Sequence, residues 1–378
     1  MANRPSDPSA VPIDLSKSEL KVLGLVFRRR TMTQSTLVEE MELTQQSVSR
    51  LVSGLTERRM LTQGERLSAG KRGYPSTTLR LSPDFACSAG VAIMADAVGL
   101  ALIDFSGEVL CERTASLPAM THDAVLGWVE NTLAEMRADH APRTRNLVGV
   151  GVSVAGSFIG EAVGFNTPLY LDHWAGVDVA AIFHERLRLH AWADNDGNAA
   201  ALAESINGVG RWANNFAYLY LSAGVGGGVI LDGVPWRGRS GNAGEFAGGL
   251  PPNIYPFPNL ELLRQILARD RPAFDTVLAM VQQYDPTWPA IEDWIARVRD
   301  SVSIIASNAT AILDLDAIVF GGLMPKDLAQ RLIACVELFD QKRRGQRRPT
   351  AKLAPSEVMG NAAAIGAAML PLRAIYFR

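Results

Sequence analysis

Three amphipathic segments succeed one another before residue 60. Leu20, Leu23, Val26 and Phe27 recur at helical intervals behind Ser16-Lys17-Ser18-Glu19, whose serine and glutamate have capping-box spacing, and predict a helix over 17–29. Thr33 is placed to cap a short second helix through Leu37 and Met41. Thr44 can cap a third, in which Val48, Leu51, Val52 and Leu55 fall at i, i+3, i+4 and i+7. Leu61–Leu67 and Thr77–Leu81 then read as two strands joined by the turn Ser68-Ala69-Gly70-Lys71-Arg72-Gly73-Tyr74-Pro75. Three helices followed by a hairpin describe a small, mainly α winged helix-turn-helix over 16–82.

From Ala89 the pattern changes to apolar runs alternating with helical ones. Gly90–Ile93, Leu100–Asp104, Val148–Val154, Ala191–Ala193, Phe216–Ser222, Val229–Leu231 and Ala317–Phe320 read as strands, and helices fit 123–137, 176–188, 197–205, 258–268, 290–313, 326–339 and 361–370. That alternation predicts an α/β domain over 83–378. The glycine-rich stretch at 224–228 echoes the strand–turn–strand at 90–107, so two similar lobes are expected.

Composition adds limits. With 378 residues, 48% of them hydrophobic, the chain can bury a full core. No apolar run reaches the roughly 18 uncharged residues that span a bilayer, and Met1 to Leu15 has no signal-peptide apolar region, so a cytoplasmic protein without a membrane partner is expected. Cys87, Cys111 and Cys335 are an odd set without paired spacing, which predicts neither a disulfide framework nor a cysteine-rich metal site. Charge is uneven: Lys17 to Arg80 holds twelve Lys/Arg against six Asp/Glu, about +6 in a chain whose net charge is −2. The outer face of the third helix carries Gln45, Gln46, Ser47, Ser49, Arg50 and Ser53, side chains of the kind that read base edges in a major groove. Lys71 and Arg72 sit in the turn, where they suit the phosphate backbone or the minor groove. Operator DNA is the expected polyanionic partner.

Four segments of the larger domain could carry chemistry. Leu221 to Gly233 includes Gly224, Gly226, Gly227 and Gly228, a backbone able to fold around a phosphate and equally able to form a glycine-rich hairpin. Asn195-Asp196-Gly197-Asn198 stands where a strand becomes a helix, so Asp196 is either a helix cap or a base that accepts a proton from a hydroxyl. Gly241-Asn242-Ala243-Gly244-Glu245 offers a carboxylate on a glycine-lined loop. The run Ala317 to Gly322 is a strand ending in Gly321 and Gly322, suited to a nucleotide or to a tight turn.

Together these segments, with Asn361 to Met369, resemble the ROK family of repressors, open reading frames and sugar kinases along essentially the whole chain. The resemblance implies a two-lobed actin/hexokinase-like domain preceded by a DNA-binding module. It also implies sugar-binding roles for Asn195, Asp196, Glu245 and Glu261, and phosphate-loop-like positions at Gly224, Gly226, Gly227, Gly228, Gly321 and Gly322. Two departures follow. Family kinases begin with a phosphate loop of the type Asp-x-Gly-x-Thr, whereas Ala92-Ile93-Met94-Ala95-Asp96 keeps none of the three. A carboxylate brought to about 4 Å from a phosphate at an effective dielectric near 20 costs on the order of 4 kcal/mol per charge pair, so no ATP cofactor is expected. Gly248 stands at the position of the family's zinc-binding histidine and Pro251 to Glu261 contains no cysteine, so no zinc is expected either. The expected function is a sugar-responsive regulator, a repressor of carbohydrate genes acting as a homodimer or homotetramer, with Asp196 a vestigial base and a sugar or sugar phosphate as effector. A sugar kinase using Asp196 as base, and a DNA-binding scaffold whose cleft is filled by side chains, are the alternatives.

Overall fold

The structure is a computed structural model that describes residues 14–67, 76–95, 97–159, 164–269, 271–339, 345 and 348–377. The N-terminal module holds α1 (Lys17–Arg29), α2 (Gln34–Met41) and α3 (Gln45–Glu57), with a sheet of β1 (Met32–Thr33), β2 (Leu61–Leu67) and β3 (Ser76–Leu81) in the order β1-β3-β2. The capping box forms as its spacing requires: the Ser16 hydroxyl accepts from the Glu19 N–H, and Glu19 Oε2 accepts from the Ser16 N–H at 2.7 Å. Thr33 and Thr44 cap α2 and α3 with a single bond each, their hydroxyls accepting the Thr36 and Ser47 N–H. Burial of Val22, Leu23, Val26, Leu37, Val48 and Leu55 closes the module around the predicted stripes. The turn at 68–75, with Lys71 and Arg72, lies outside the described residues.

Two five-stranded sheets follow. The first combines β4 (Cys87–Ile93), β5 (Ala97–Asp104), β6 (Val109–Ser116), β7 (Leu147–Val154) and β10 (Ala191–Asn195) in the order β10-β7-β4-β5-β6. Its helices are α4 (His122–Asp139) and α5 (Val179–Leu187), and a small ribbon of β8 (Ser157–Phe158) and β9 (Phe165–Asn166) follows β7. The second combines β11 (Phe216–Leu221), β12 (Val225–Leu231), β13 (Val234–Pro235), β14 (Ala317–Gly322) and β15 (Lys352–Pro355) in the order β15-β14-β11-β12-β13. Around it lie α7 (Leu260–Leu267), α8 (Val277–Gln282), α9 (Ala290–Leu313) and α10 (Lys326–Cys335). In each sheet three parallel strands are followed by two antiparallel ones, so the lobes repeat one topology.

Helices α6 (Asp196–Asn207) and α11 (Ala362–Ile375) cross between the sheets. Their alanine and glycine content is what the crossing demands: a Cβ on Gly366 would stand 1.7 Å from the Ala199 carbonyl oxygen, and one on Gly151 1.8 Å from that of Ala367. One continuous apolar cluster runs from Val22, Phe27 and Leu55 of the module to Ala200 and Ile206 of α6 and Tyr376 beyond α11. Phe27 stacks on Phe377 with ring centroids 4.1 Å apart. Arg30 adds a polar tie, donating to the carbonyl oxygens of Ser106 and Ile206 and to the Asn207 side chain, with Glu108 at 3.3 Å.

Strand β6 is absent from the predicted set because it is mostly exposed and its apolar run, Val109 to Cys111, is short. Strand β15 is short and ends in proline. Helix α10 stops at Cys335 rather than at 339, where Val336 turns extended, and the 176–188 helix begins only at Val179, behind the Asp178 cap.

Candidate functional site

Helix α3 packs Val48, Val52 and Leu55 inward, so a helical period places Gln45, Gln46, Ser47, Ser49, Arg50 and Ser53 outward, and all six are exposed. Arg50 has no ion-pair partner among the described residues. Of these six Arg50 alone is charged, a guanidinium amid amides and hydroxyls.

The second site lies between the lobes. Asn195 ends β10 and caps α6: its Oδ1 accepts the Asn198 N–H at 3.1 Å while its Nδ2 donates to the Gly156 carbonyl at 2.8 Å. The amide is thus committed to holding the strand end against the turn after β7. The next residue, Asp196, faces a cavity of ≈ 320 Å³ bordered also by Glu245, Asn166, Thr167, Tyr170 and Gly226. Asp196 Oδ1 accepts the Gly197 N–H at 2.8 Å. Burial pushes its carboxyl up to about 6 against that hydrogen bond, and the negative charge of Glu245 adds to the rise. Desolvation raises the Glu245 carboxyl as well.

Glu245 is positioned by its loop. Asn242 clasps the Phe158 backbone, accepting its N–H at 2.7 Å and donating to its carbonyl at 3.0 Å, while Asn198 Nδ2 donates to the Gly241 carbonyl at 3.2 Å. The loop is therefore fastened both to the first lobe and to α6. Beneath it Asp194, buried and paired with Arg237, accepts the Asn195 N–H at 2.9 Å, and burial pushes its carboxyl up against the pull of Arg237. The roles of Asn242 and Asp194 cannot be read from the sequence, since their partners, the Phe158 backbone and the Arg237 guanidinium, reach them only on folding. The same holds for Asn166, Thr167 and Tyr170 from the ribbon and the segment after it. Carboxylates, an amide and hydroxyls around one polar cavity suit a ligand with several adjacent hydroxyls.

Other expectations change. Gly226, Gly227 and Gly228 are extended residues inside β12, not a turn around an anion. A Cβ on Gly227 would meet the Tyr218 carbonyl oxygen at 2.5 Å, and one on Gly228 the Ala201 Cβ at 2.6 Å, so these glycines let α6 and neighbouring backbone lie close. Gly224 and Gly226 border the cavity beside Asp196. At Gly321 a Cβ would meet the Tyr218 hydroxyl oxygen at 2.1 Å, and the Gly322 N–H donates to that oxygen at 2.9 Å, so Tyr218 fills the space at the end of β14. Glu261 is in the first turn of α7, gripped by Arg264 at 2.7 and 2.8 Å and by Gln265 at 3.1 Å, and does not border the cavity. Arg264 holds its carboxyl below the usual range.

The hairpin between β4 and β5 has closed on itself. Met94 is 8% exposed, its N–H donates to Ala97 at 2.9 Å, and Asn361 Nδ2 approaches its sulfur at 3.8 Å. Asp96 lies outside the described residues. The loop after Glu245 does not fit zinc: Gly248 offers no side chain, and no cluster of three or more His, Cys, Asp or Glu forms among the described residues.

Residues 88–253 match the ROK family. Over 377 residues the chain is 28% identical to the uncharacterized protein y4fQ of Sinorhizobium fredii, covering 96% of this chain and 93% of that protein. A xylose repressor of Caldicellulosiruptor bescii is 26% identical over 231 residues, which take in 60% of this chain and 57% of the repressor. Among solved structures, a ROK family transcriptional regulator described as a homolog of the E. coli MLC protein superposes with a TM-score of 0.66 at 20% identity, over 95% of this chain and 97% of its own. A ROK family glucokinase from Streptomyces griseus, in complex with glucose and AMPPNP, gives 0.59 at 19%, over 75% of this chain and 99% of its own.

Proposed function

Because residues 88–253 constitute a ROK family domain, we propose that the chain is a DNA-binding transcriptional regulator of carbohydrate genes whose two-lobed domain senses a sugar or sugar phosphate. The observation that carries this reading is the module in front of the domain: three helices and a small sheet, with Gln45, Gln46, Ser47, Ser49 and Arg50 exposed on α3 and a core continuous with α6. The solved regulator covers the module, whereas the glucokinase spans three quarters of the chain. The xylose repressor points to a carbohydrate signal.

In this reading Asp196 and Glu245 accept hydroxyl protons of the ligand, and closure of the lobes moves α6. The C-terminal end of α6 is the end that Arg30 grips, so closure reaches the module through a rigid helix. Two modules in a homodimer or homotetramer would then read half-sites about one DNA turn apart, with Lys71 and Arg72 on the backbone. Met94 and Tyr218 occupy the places where a kinase would need open backbone for phosphates. Phosphoryl transfer is accordingly not part of the proposal.

The experiment is selection of bound fragments from a random double-stranded DNA pool by the full chain. Enrichment of a two-fold symmetric sequence is expected. Salt-sensitive binding without any enriched sequence would contradict the assignment.

A further inference from the structure

Away from the sugar cleft, at the joint between the module and the domain, a cavity of ≈ 160 Å³ is bounded by α1, the end of α6, the β12–β13 turn and α11. It shares Arg28, Ser205, Ile206 and Gly233 with a wider cleft of ≈ 730 Å³ to which Arg29, Arg30 and Arg211 contribute. The acidic residues of that cleft are Glu40, already 3.1 Å from Arg29, and Asp232.

Two guanidinium groups border the smaller cavity, Arg28 from the module and Arg373 from α11. Among the described residues neither has an ion-pair partner or donates a side-chain hydrogen bond. The groups that act electrostatically on Arg373 are Arg237, Arg28 and Asp194, and Asp194 already pairs with Arg237. Burial, with the like charges of Arg237 and Arg28, brings the Arg373 guanidinium down to about 10, so it is still a cation at neutral pH. A half-buried cation beside a second cation, with no carboxylate of its own, is a costly arrangement unless an anion joins it. The volume equals about five liquid water molecules, room for the five heavy atoms of a phosphate group. Guanidinium groups match phosphate oxygens in bidentate geometry.

We propose that this cavity is a second binding site, in which a phosphate group is clamped between Arg28 of the DNA-binding module and Arg373 of the C-terminal helix. The group is a phosphate dianion, free or at the end of a small phosphorylated metabolite that extends into the wider cleft. Its occupation would add an ionic tie across a joint held by the shared apolar cluster, with its Phe27–Phe377 stack, and by Arg30.

The test is calorimetric titration of the full chain, without DNA, with inorganic phosphate at constant ionic strength, in wild type and in the Arg28→Gln, Arg373→Gln and Asp196→Asn variants. Arg28 is exposed on α1, so Arg28→Gln should fold even if Arg373→Gln does not. One phosphate per chain is expected, weakened roughly tenfold or more by either arginine substitution and unchanged by Asp196→Asn. Parallel titrations with glycerol phosphate and glucose 6-phosphate identify the source. Binding tighter than that of inorganic phosphate, and still dependent on Arg28, marks a metabolite; equal or weaker binding marks the free ion. Absence of saturable phosphate binding, or binding that survives Arg28→Gln, would overturn the proposal. Binding lost in Asp196→Asn but kept in Arg28→Gln would also overturn it, by placing the anion in the sugar cleft.

Discussion

The two lobes have the same strand order, yet their equivalent hairpins meet the interior in opposite ways. Between β4 and β5 the turn is closed, with Met94 buried against the core and Asn361 over its sulfur. Between β11 and β12 it is open, with Gly224 and Gly226 bordering the cavity beside Asp196. Repeated topology therefore does not imply repeated chemistry: side chains at two turns decide which is accessible to a ligand. In the reading proposed here, the half of the cleft that suits hydroxyls is kept and the half that would hold a nucleotide's phosphates is filled.

The largest effect should come from emptying the closed turn. Met94→Ala should destabilise the protein by about 2–5 kcal/mol, read as a fall in denaturation midpoint, because it deletes a packed side chain from the core. An unchanged midpoint would mean that Met94 closes nothing. The variant should still fail to transfer phosphate from ATP to sugars, and measurable turnover would show that one side chain alone separates regulator from kinase.

On the open side, Asp196→Asn should weaken sugar binding by roughly ten- to a hundredfold, the worth of a charged hydrogen bond. Its pH dependence supplies a second reading. The Asp196 carboxyl is raised from 3.8 to about 6, so affinity for the sugar should fall as pH drops through 6 in wild type and stay flat in the variant. For stability the sign is opposite. A raised carboxyl contributes fully below its unfolded value and loses that contribution as pH rises through about 6, so the Asn variant should melt no lower than wild type at neutral pH. Affinity that ignores pH in wild type would sever Asp196 from the ligand and leave it a helix cap.

Arg50→Ala and Gln46→Ala should each cost about 1–3 kcal/mol in binding to the selected DNA sequence while leaving random-sequence binding nearly intact. Equal losses on both DNAs would move α3 from the base edges to the backbone. The smallest effect is expected at Glu261→Gln, which disturbs an ion pair with Arg264 at partly exposed positions and so should change stability by about 1 kcal/mol or less. Sugar affinity should not move, and a tenfold loss would return Glu261 to the ligand.

What could be read from the residues follows a physical division. Helix stripes, caps and buried strands depend on neighbours within one turn, so α1, α3, α6 and α9 lie where periodicity places them. Asp196 and Glu245 were legible because a strand end and a glycine-lined loop are local features. The commitment of Glu261 to Arg264 was not, although the two are three residues apart, because a pattern gives spacing and leaves side-chain direction open. The glycines of β12 left two readings open for a related reason: their neighbours Tyr218, Ala201 and Phe246 come from other elements, so close packing in a hairpin and phosphate binding look alike in sequence. Arg30, Asn242 and Asn166 gain meaning only across the seam and the cleft.

The proposed coupling runs from the occupied cleft to α3 through α6 and Arg30. Its most direct test measures affinity for the selected DNA with and without a saturating sugar, in wild type and in Arg30→Ala. A change of roughly 5- to 150-fold is expected in wild type, with a matching change in sugar affinity when DNA is present and a clearly smaller factor in Arg30→Ala, each ligand still binding alone. DNA affinity that is identical with the cleft empty and filled would contradict it.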